Sequence, residues 1–141
     1  MVILIAEDDD GHAGLIMRNL ERAGLKNKLI RFEDGQQVLD FFYGAKATQS
    51  REKNQSYLLL LDIRMPKVDG VQVLSRIKTD SELKKIPVIM LTTTDDPKEI
   101  EKCYKLGCNN YIKKPIDYDR FIEAIRQLGL FLSIVEVPVI S

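Results

Sequence analysis

The chain has no net charge, only two cysteines and no long apolar stretch, and each shortage excludes something. Twenty-one basic and twenty-one acidic side chains cancel over 141 residues. A balanced charge leaves no electrostatic footprint for nucleic acid or for an anionic membrane surface. No apolar run approaches the roughly 20 residues needed to cross a bilayer. The chain enters an apolar run at once, without the basic region, apolar core and small-residue cleavage site of a secretory leader. Cys103 and Cys108 stand five positions apart, which suits neither a zinc ligand pair nor a disulfide framework. Two reduced thiols in a cytoplasmic protein are the expectation. At 45% hydrophobic and 30% charged residues, the composition is that of a globular domain rather than a disordered segment. The length suits one domain with a well-buried core and leaves hardly any room for a second.

Short apolar runs dominate what is present: Ile3–Ala6, Leu58–Leu61, Val88–Leu91 and Tyr111–Ile112, with a weaker one at Lys28–Phe32. Such a run bounded by turn residues reads as a strand covered on both faces, as in a parallel sheet. Amphipathic segments lie between the runs. His12 to Ala23 carries Ala13, Ile16, Leu20 and Ala23 at helical spacing, closed by Gly24 as a left-handed cap. Asp34 caps a second helix from Gly35, with Gln37 placed to complete a capping box and Val38, Leu39 and Phe42 as its buried face. Val71, Leu74 and Ile77 mark a third helix after Asp69-Gly70. The fourth has the clearest start, with Asp96 as cap, Pro97 at the first position and Glu99 at the third. A fifth, from about Tyr118, buries Phe121, Ile125 and Leu128. Strand and helix alternating five times predict a doubly wound α/β sheet with right-handed crossovers.

Two stretches stand outside that pattern. Ala45 to Ser56 is polar and long for a connection, and it joins a helix end to a strand start. The preferred reading is an insertion tolerated because it touches nothing; a partner-docking loop is the alternative. The tail from Leu130 to Ser141 carries Phe131, Leu132, Ile134, Val135, Val137, Val139 and Ile140, too apolar a set to hang in water. It either folds back on its own domain or meets a second chain. Large exposed apolar patches usually mark interaction sites, so contact between chains is preferred. The expected division is a domain over 1–129 and an extension over 130–141.

In a parallel sheet the carboxyl ends of all strands lie along one edge, and ligands bind in the crevice beside it. Glu7-Asp8, Asp62, Thr92 and Lys114 each follow or end an apolar run, so they converge there. Three crowded carboxylates repel, and one stays protonated unless a cation shares the site. Mg²⁺ is the natural candidate, a hard ion that takes one or two carboxylates, keeps waters and bridges to phosphate oxygen. An aspartate beside it can attack phosphorus and carry the phosphoryl group as a mixed anhydride. Lys114 and the Thr92 hydroxyl supply the positive charge and hydrogen bond such a group needs. A lone aspartate after a strand is usually a turn or a helix cap. Five such positions in the right order are a pattern. Asp9 and Asp10 are expected to cap the first helix, and His12 to lie on its surface or help cap it. Lys113 faces away from Lys114, because alternate residues of a strand face opposite ways.

With Glu7-Asp8, the stretch Asp62-Ile-Arg-Met-Pro-Lys-Val-Asp-Gly70, Thr92 and Lys114-Pro115 in place, the chain resembles the receiver domain of bacterial response regulators. The resemblance runs from about Val2 to Leu128. It implies a flavodoxin-like five-stranded sheet in the order 2-1-3-4-5. It also implies that Asp62 accepts a phosphoryl group from a sensor histidine kinase. Asp8, Asp62 and the backbone carbonyl of Arg64 would then bind Mg²⁺ directly, with Glu7 holding it through water. Thr92 and Lys114 would contact the phosphoryl oxygens after transfer. Tyr111 matches the aromatic that turns inward as Thr92 is drawn to the phosphate, and the signal would emerge on the face of the fourth helix, fifth strand and fifth helix. Glu7 stands where many receivers have aspartate, yet its longer arm can still hold a metal-bound water. Arg64 and Thr94 flank the pocket at positions that tune attack of water on the phosphoaspartate.

A narrower resemblance is to the single-domain regulators of cyanobacterial phytochromes and their relatives. The polar loop, Leu91-Thr92-Thr93-Thr94, Asn110-Tyr111-Ile112-Lys113-Lys114-Pro115 and Leu132-Ser-Ile-Val-Glu-Val-Pro138 carry it. In that group the C-terminal extension helps make a homodimer, which would account for the apolar tail. The expectation is a stand-alone receiver that catalyses only its own phosphorylation and dephosphorylation. Because only a tail follows Leu128, output would pass through a downstream protein or relay partner. An aspartyl-phosphate phosphatase needs a second aspartate two residues after the nucleophile, where Arg64 stands. Flavin binding needs a phosphate-cradling loop where Glu7-Asp8 stands. A phosphorylation-independent dimeric scaffold is the remaining alternative.

Overall fold

The computed structural model describes residues 1–44 and 49–141. Along the chain run β1 (Val2–Ala6), α1 (Asp10–Arg22), β2 (Leu29–Phe32), α2 (Gly35–Tyr43), β3 (Gln55–Leu61) and α3 (Gly70–Thr79). After a 3-10 turn at Leu83–Lys85 come β4 (Val88–Thr92), α4 (Pro97–Leu106), β5 (Asn110–Lys113), α5 (Tyr118–Leu132) and β6 (Val139–Ile140). The first five strands form one parallel sheet in the order β2-β1-β3-β4-β5. This is the flavodoxin-like order that the receiver-domain resemblance implied.

Side chains alternate across a strand, so each apolar run feeds two cores. Leu4, Leu59, Leu61, Val88 and Met90 meet Val38, Phe41 and Phe42 of α2, Val73, Leu74 and Ile77 of α3, and Cys103 of α4. Ile3, Ile5, Leu58, Leu60, Ile89 and Leu91 meet Ile16 and Leu20 of α1 and Phe121, Ile125 and Leu128 of α5. Both faces of the sheet are thereby closed to water. This leaves the strand ends as the place where polar side chains can gather.

Helix starts follow the expected caps except at α1, where Asp9 alone is the cap, and at α2. The Asp34 side chain accepts from the Gln37 amide at 2.8 Å, but the Gln37 side chain accepts from the Glu33 amide rather than from that of Asp34. Asp34 is buried against Lys67, 3.5 Å away, and the reciprocal bond moves one residue outward. The complete capping box is at α3, where Asp69 and Gln72 bond each other's backbone. Gly24 has a φ of 95° just past α1, the left-handed closure its position called for.

The stretch from Ala45 to Ser56 departs from expectation. Positions 45–48 lie outside the described residues. Beyond them the chain is tied down: the Arg51 amide donates to the Phe41 carbonyl at 3.0 Å, and the Glu52 amide to the Tyr57 hydroxyl at 2.8 Å. Gln55 and Ser56 belong to β3, because they pair antiparallel with Ile140 and Val139 of β6. The described part of this stretch is therefore bound to the domain, not an insertion that touches nothing. The tail supplies that second strand by folding back. Leu132 and Ile140 are buried, while Leu130, Phe131, Ile134 and Val139 remain exposed.

Candidate functional site

The five expected residues meet at one edge of the sheet. β1 runs into Glu7 and Asp8, β3 into Asp62, β4 ends on Thr92, and β5 leads into Lys114. The Lys114 amide donates to the Thr92 carbonyl at 2.7 Å and continues the ladder past the end of β5. Glu7, Asp62, Thr92 and Lys114 are 2%, 8%, 0% and 2% exposed, while Asp8 lies open to solvent. Ligand oxygens of Glu7, Asp8 and Asp62 lie within 4.8 Å of one another. The N-terminus of α3 packs directly behind them. The Gly70 amide donates to the Ile63 carbonyl at 2.8 Å, and a Cβ at Gly70 would overlap the Asp62 carbonyl oxygen.

Lys114 is the electrostatic centre. Its ammonium donates to Glu7 Oε1 and to Asp62 Oδ2, the latter at 3.1 Å, with His12 Nδ1 at 3.4 Å. The other Asp62 oxygen accepts from the Ile63 amide at 2.7 Å, and Glu7 Oε2 from the Asp9 amide at 3.2 Å. Burial pushes the Glu7 carboxyl up to about 7, against the pull of Lys114. A buried carboxylate that resists ionisation, beside two others, is a group short of positive charge. An all-oxygen donor set of this kind fits a hard divalent cation.

Around this centre, the Thr94 amide donates to Thr92 Oγ1 at 3.4 Å, and the Tyr111 hydroxyl to the Thr94 carbonyl at 2.7 Å. Burial pushes the Tyr111 phenol up to about 12. Arg64 is exposed and approaches Glu99 at 3.5 Å; Lys113 is exposed and pairs with Asp95 at 2.8 Å. Asp9 caps α1 by accepting from the His12 amide at 2.8 Å. Asp10 is the first helical residue instead of a cap, and it binds Arg31 at 2.7 Å. Sequence reasoning placed His12 on the surface or at the cap of the first helix and passed over Arg31; both neighbour the site. His12 stands beside Lys114, and Arg31 reaches the backbone of Glu7 and Asp8. Neither sits at a strand end, the signal that marked the others.

A fold and a carboxylate–lysine site of this kind define a class. The family model of the response regulator receiver domain matches residues 3–126. The chain belongs to that family. Among curated relatives, it is 36% identical over 132 residues to the probable methanogenesis regulatory protein FilR2 of Methanothrix harundinacea, covering 92% of this chain and 83% of that one. It is 30% identical over 138 residues to the response regulator Rcp1 of Synechocystis sp., covering 97% and 92%. A solved receiver domain from Rhodospirillum rubrum superposes with a TM-score of 0.93 at 42% identity, covering 100% and 99% of the two chains. The Mn²⁺-bound form of Rcp1 gives 0.88 at 30% identity over 98% and 99%. The phosphorylated cyanobacterial phytochrome response regulator RcpA gives 0.83 at 29% over 97% of both. Similarity to phytochrome-type regulators is thus seen in structure as in sequence. Among the described residues, no helix is long and apolar enough to cross a membrane.

Proposed function

We propose that this receiver is a Mg²⁺-dependent switch in which Asp62 accepts a phosphoryl group from a sensor histidine kinase. One observation carries the reading: the buried ammonium of Lys114 bonds both Glu7 and Asp62 while Asp8 completes the carboxylate cluster. Asp8, Asp62 and the Arg64 carbonyl are the direct ligands in this reading, with Glu7 acting through water. A bound ion would supply positive charge to the phosphoryl oxygens and offset the repulsion among the carboxylates.

The chain's own groups do the rest. Asp62 Oδ1 is fixed by the Ile63 amide, which orients the carboxylate plane. An Asp62 oxygen forms the bond to phosphorus as the bond from phosphorus to the donor's histidine nitrogen breaks. Lys114 then turns an N–H from the Asp62 carboxylate to a phosphoryl oxygen, and the Thr92 hydroxyl donates to another. Moving Thr92 disturbs the segment that holds the Tyr111 hydroxyl at Thr94. That coupling favours α4, β5 and α5 as the face that signals to a downstream protein or relay partner. The exposed Leu130, Phe131, Ile134 and Val139 are the proposed contact with a second copy of the chain. The protein signals in the cytoplasm and turns over no metabolite.

Incubation with acetyl phosphate and Mg²⁺ tests this by intact mass. One added phosphoryl group is expected on the wild type and none on Asp62→Asn. No adduct at any Mg²⁺ concentration overturns the switch and leaves the scaffold reading.

A further inference from the structure

Arg31 occupies the third position of the short edge strand β2, paired with Ile5 of β1. Its side chain is only 19% exposed. From there the guanidinium spans the turn between β1 and α1. Nε donates to the Glu7 carbonyl at 2.9 Å, Nη2 to the Asp8 carbonyl at 3.2 Å, and Nη1 to the Asp10 carboxylate at 2.7 Å. Glu33, just past the end of β2, stands at 4.0 Å. The Glu7 amide meanwhile donates to the Phe32 carbonyl at 3.0 Å. Both ends of the Glu7 residue are therefore held by consecutive residues of β2, one through backbone and one through a side chain.

We propose that Arg31 is a positioning residue for the cation site. Its fork fixes the two consecutive peptide units whose carboxylates must converge with Asp62. Just past the last ladder bond of β1, the chain turns towards α1 and the sheet alone no longer determines its path. A planar guanidinium meets three acceptors at once in fixed geometry, which a flexible ammonium on a single-point head does not. Asp10, outside the carboxylate cluster, holds the third corner and fixes the rotamer. The inference rests on the cation reading above.

Geometry and charge predict opposite signs here. A guanidinium near a dication site repels the ion, so charge alone would make Arg31→Ala bind Mg²⁺ more tightly. Positioning makes it bind more weakly. Calorimetric titration of metal-stripped protein with MgCl₂ decides between them, with thermal unfolding of the metal-free variants alongside. Arg31→Ala and Arg31→Lys are each expected to lose about tenfold in Mg²⁺ affinity, the scale found when outer groups that orient ligands are removed. Phosphorylation by acetyl phosphate should recover at raised Mg²⁺. Equal or tighter binding by Arg31→Ala overturns the proposal, as does wild-type affinity in Arg31→Lys. If Arg31→Ala fails to fold, Arg31→Lys decides alone. Lower thermal stability with unchanged affinity assigns Arg31 a purely structural role and also overturns it. A wild type that binds no Mg²⁺ overturns the cation reading itself, which is a different failure.

Discussion

Glu7 sets the pH behaviour of the pocket. Its carboxyl ordinarily titrates near 4.5, and in the folded chain it holds its proton to about 7. Between those values the folded state binds a proton that the unfolded chain has released, so stability falls as pH rises across that window. The loss, about 3 kcal/mol, is complete above pH 7. Denaturant midpoints in a chelator at pH 5 and pH 8 should show it, and Glu7→Gln should abolish the slope. Ionised Glu7 adds a negative charge beside the proposed cation site, so Mg²⁺ affinity should strengthen as pH rises through 7. Asp62, Thr92 and Lys114 were legible in sequence because order along the chain, read through strand ends, fixes which residues meet. Arg31 was not. Its partners at Glu7 and Asp8 are carbonyls, which every residue type carries alike.

The junction of β3 and α3 is the tightest element-level constraint at the site. Gly70 starts α3, and any side chain there would press on the Asp62 carbonyl. Gly70→Ala should cost about 3 kcal/mol by overpacking. It should also slow acetyl-phosphate labelling, because relief requires Asp62 to move. Chemical denaturation and a labelling time course separate the two effects. An unchanged labelling rate in a folded variant would mean that the strain is relieved elsewhere. The existence and order of strands and helices could be read from apolar runs and caps. The start of β3 could not: Gln55 and Ser56 carry no apolar signal, and only a partner strand 83 or more positions away makes them extended. That partner, two residues after Pro138, was too short to read as a strand.

At the scale of the whole molecule, the tail divides its apolar residues between two tasks. Ile140 is fully buried against the domain, whereas Ile134 is 78% exposed. Ile140→Ala should therefore lower stability by about 2–4 kcal/mol in a denaturant titration. Ile134→Glu, made together with Phe131→Glu, should cost less than about 1 kcal/mol of stability when both proteins are compared dilute enough to be monomeric. If the proposed dimer uses this surface, the double variant should sediment as a monomer where the wild type does not. Identical sedimentation would remove the tail from the contact. The sequence marked this segment as apolar, but the division between buried and exposed residues depends on where α5 stops and on the fold-back that follows.

Counted as charges, the pocket holds three carboxylates against one ammonium, a surplus of two negative charges once Glu7 is ionised. A phosphate-bearing donor is itself an anion. An uncompensated pocket turns such donors away before it distinguishes among them, and added salt eases their approach by screening. In the proposed switch, this imbalance sets the order of arrival: cation first, donor second.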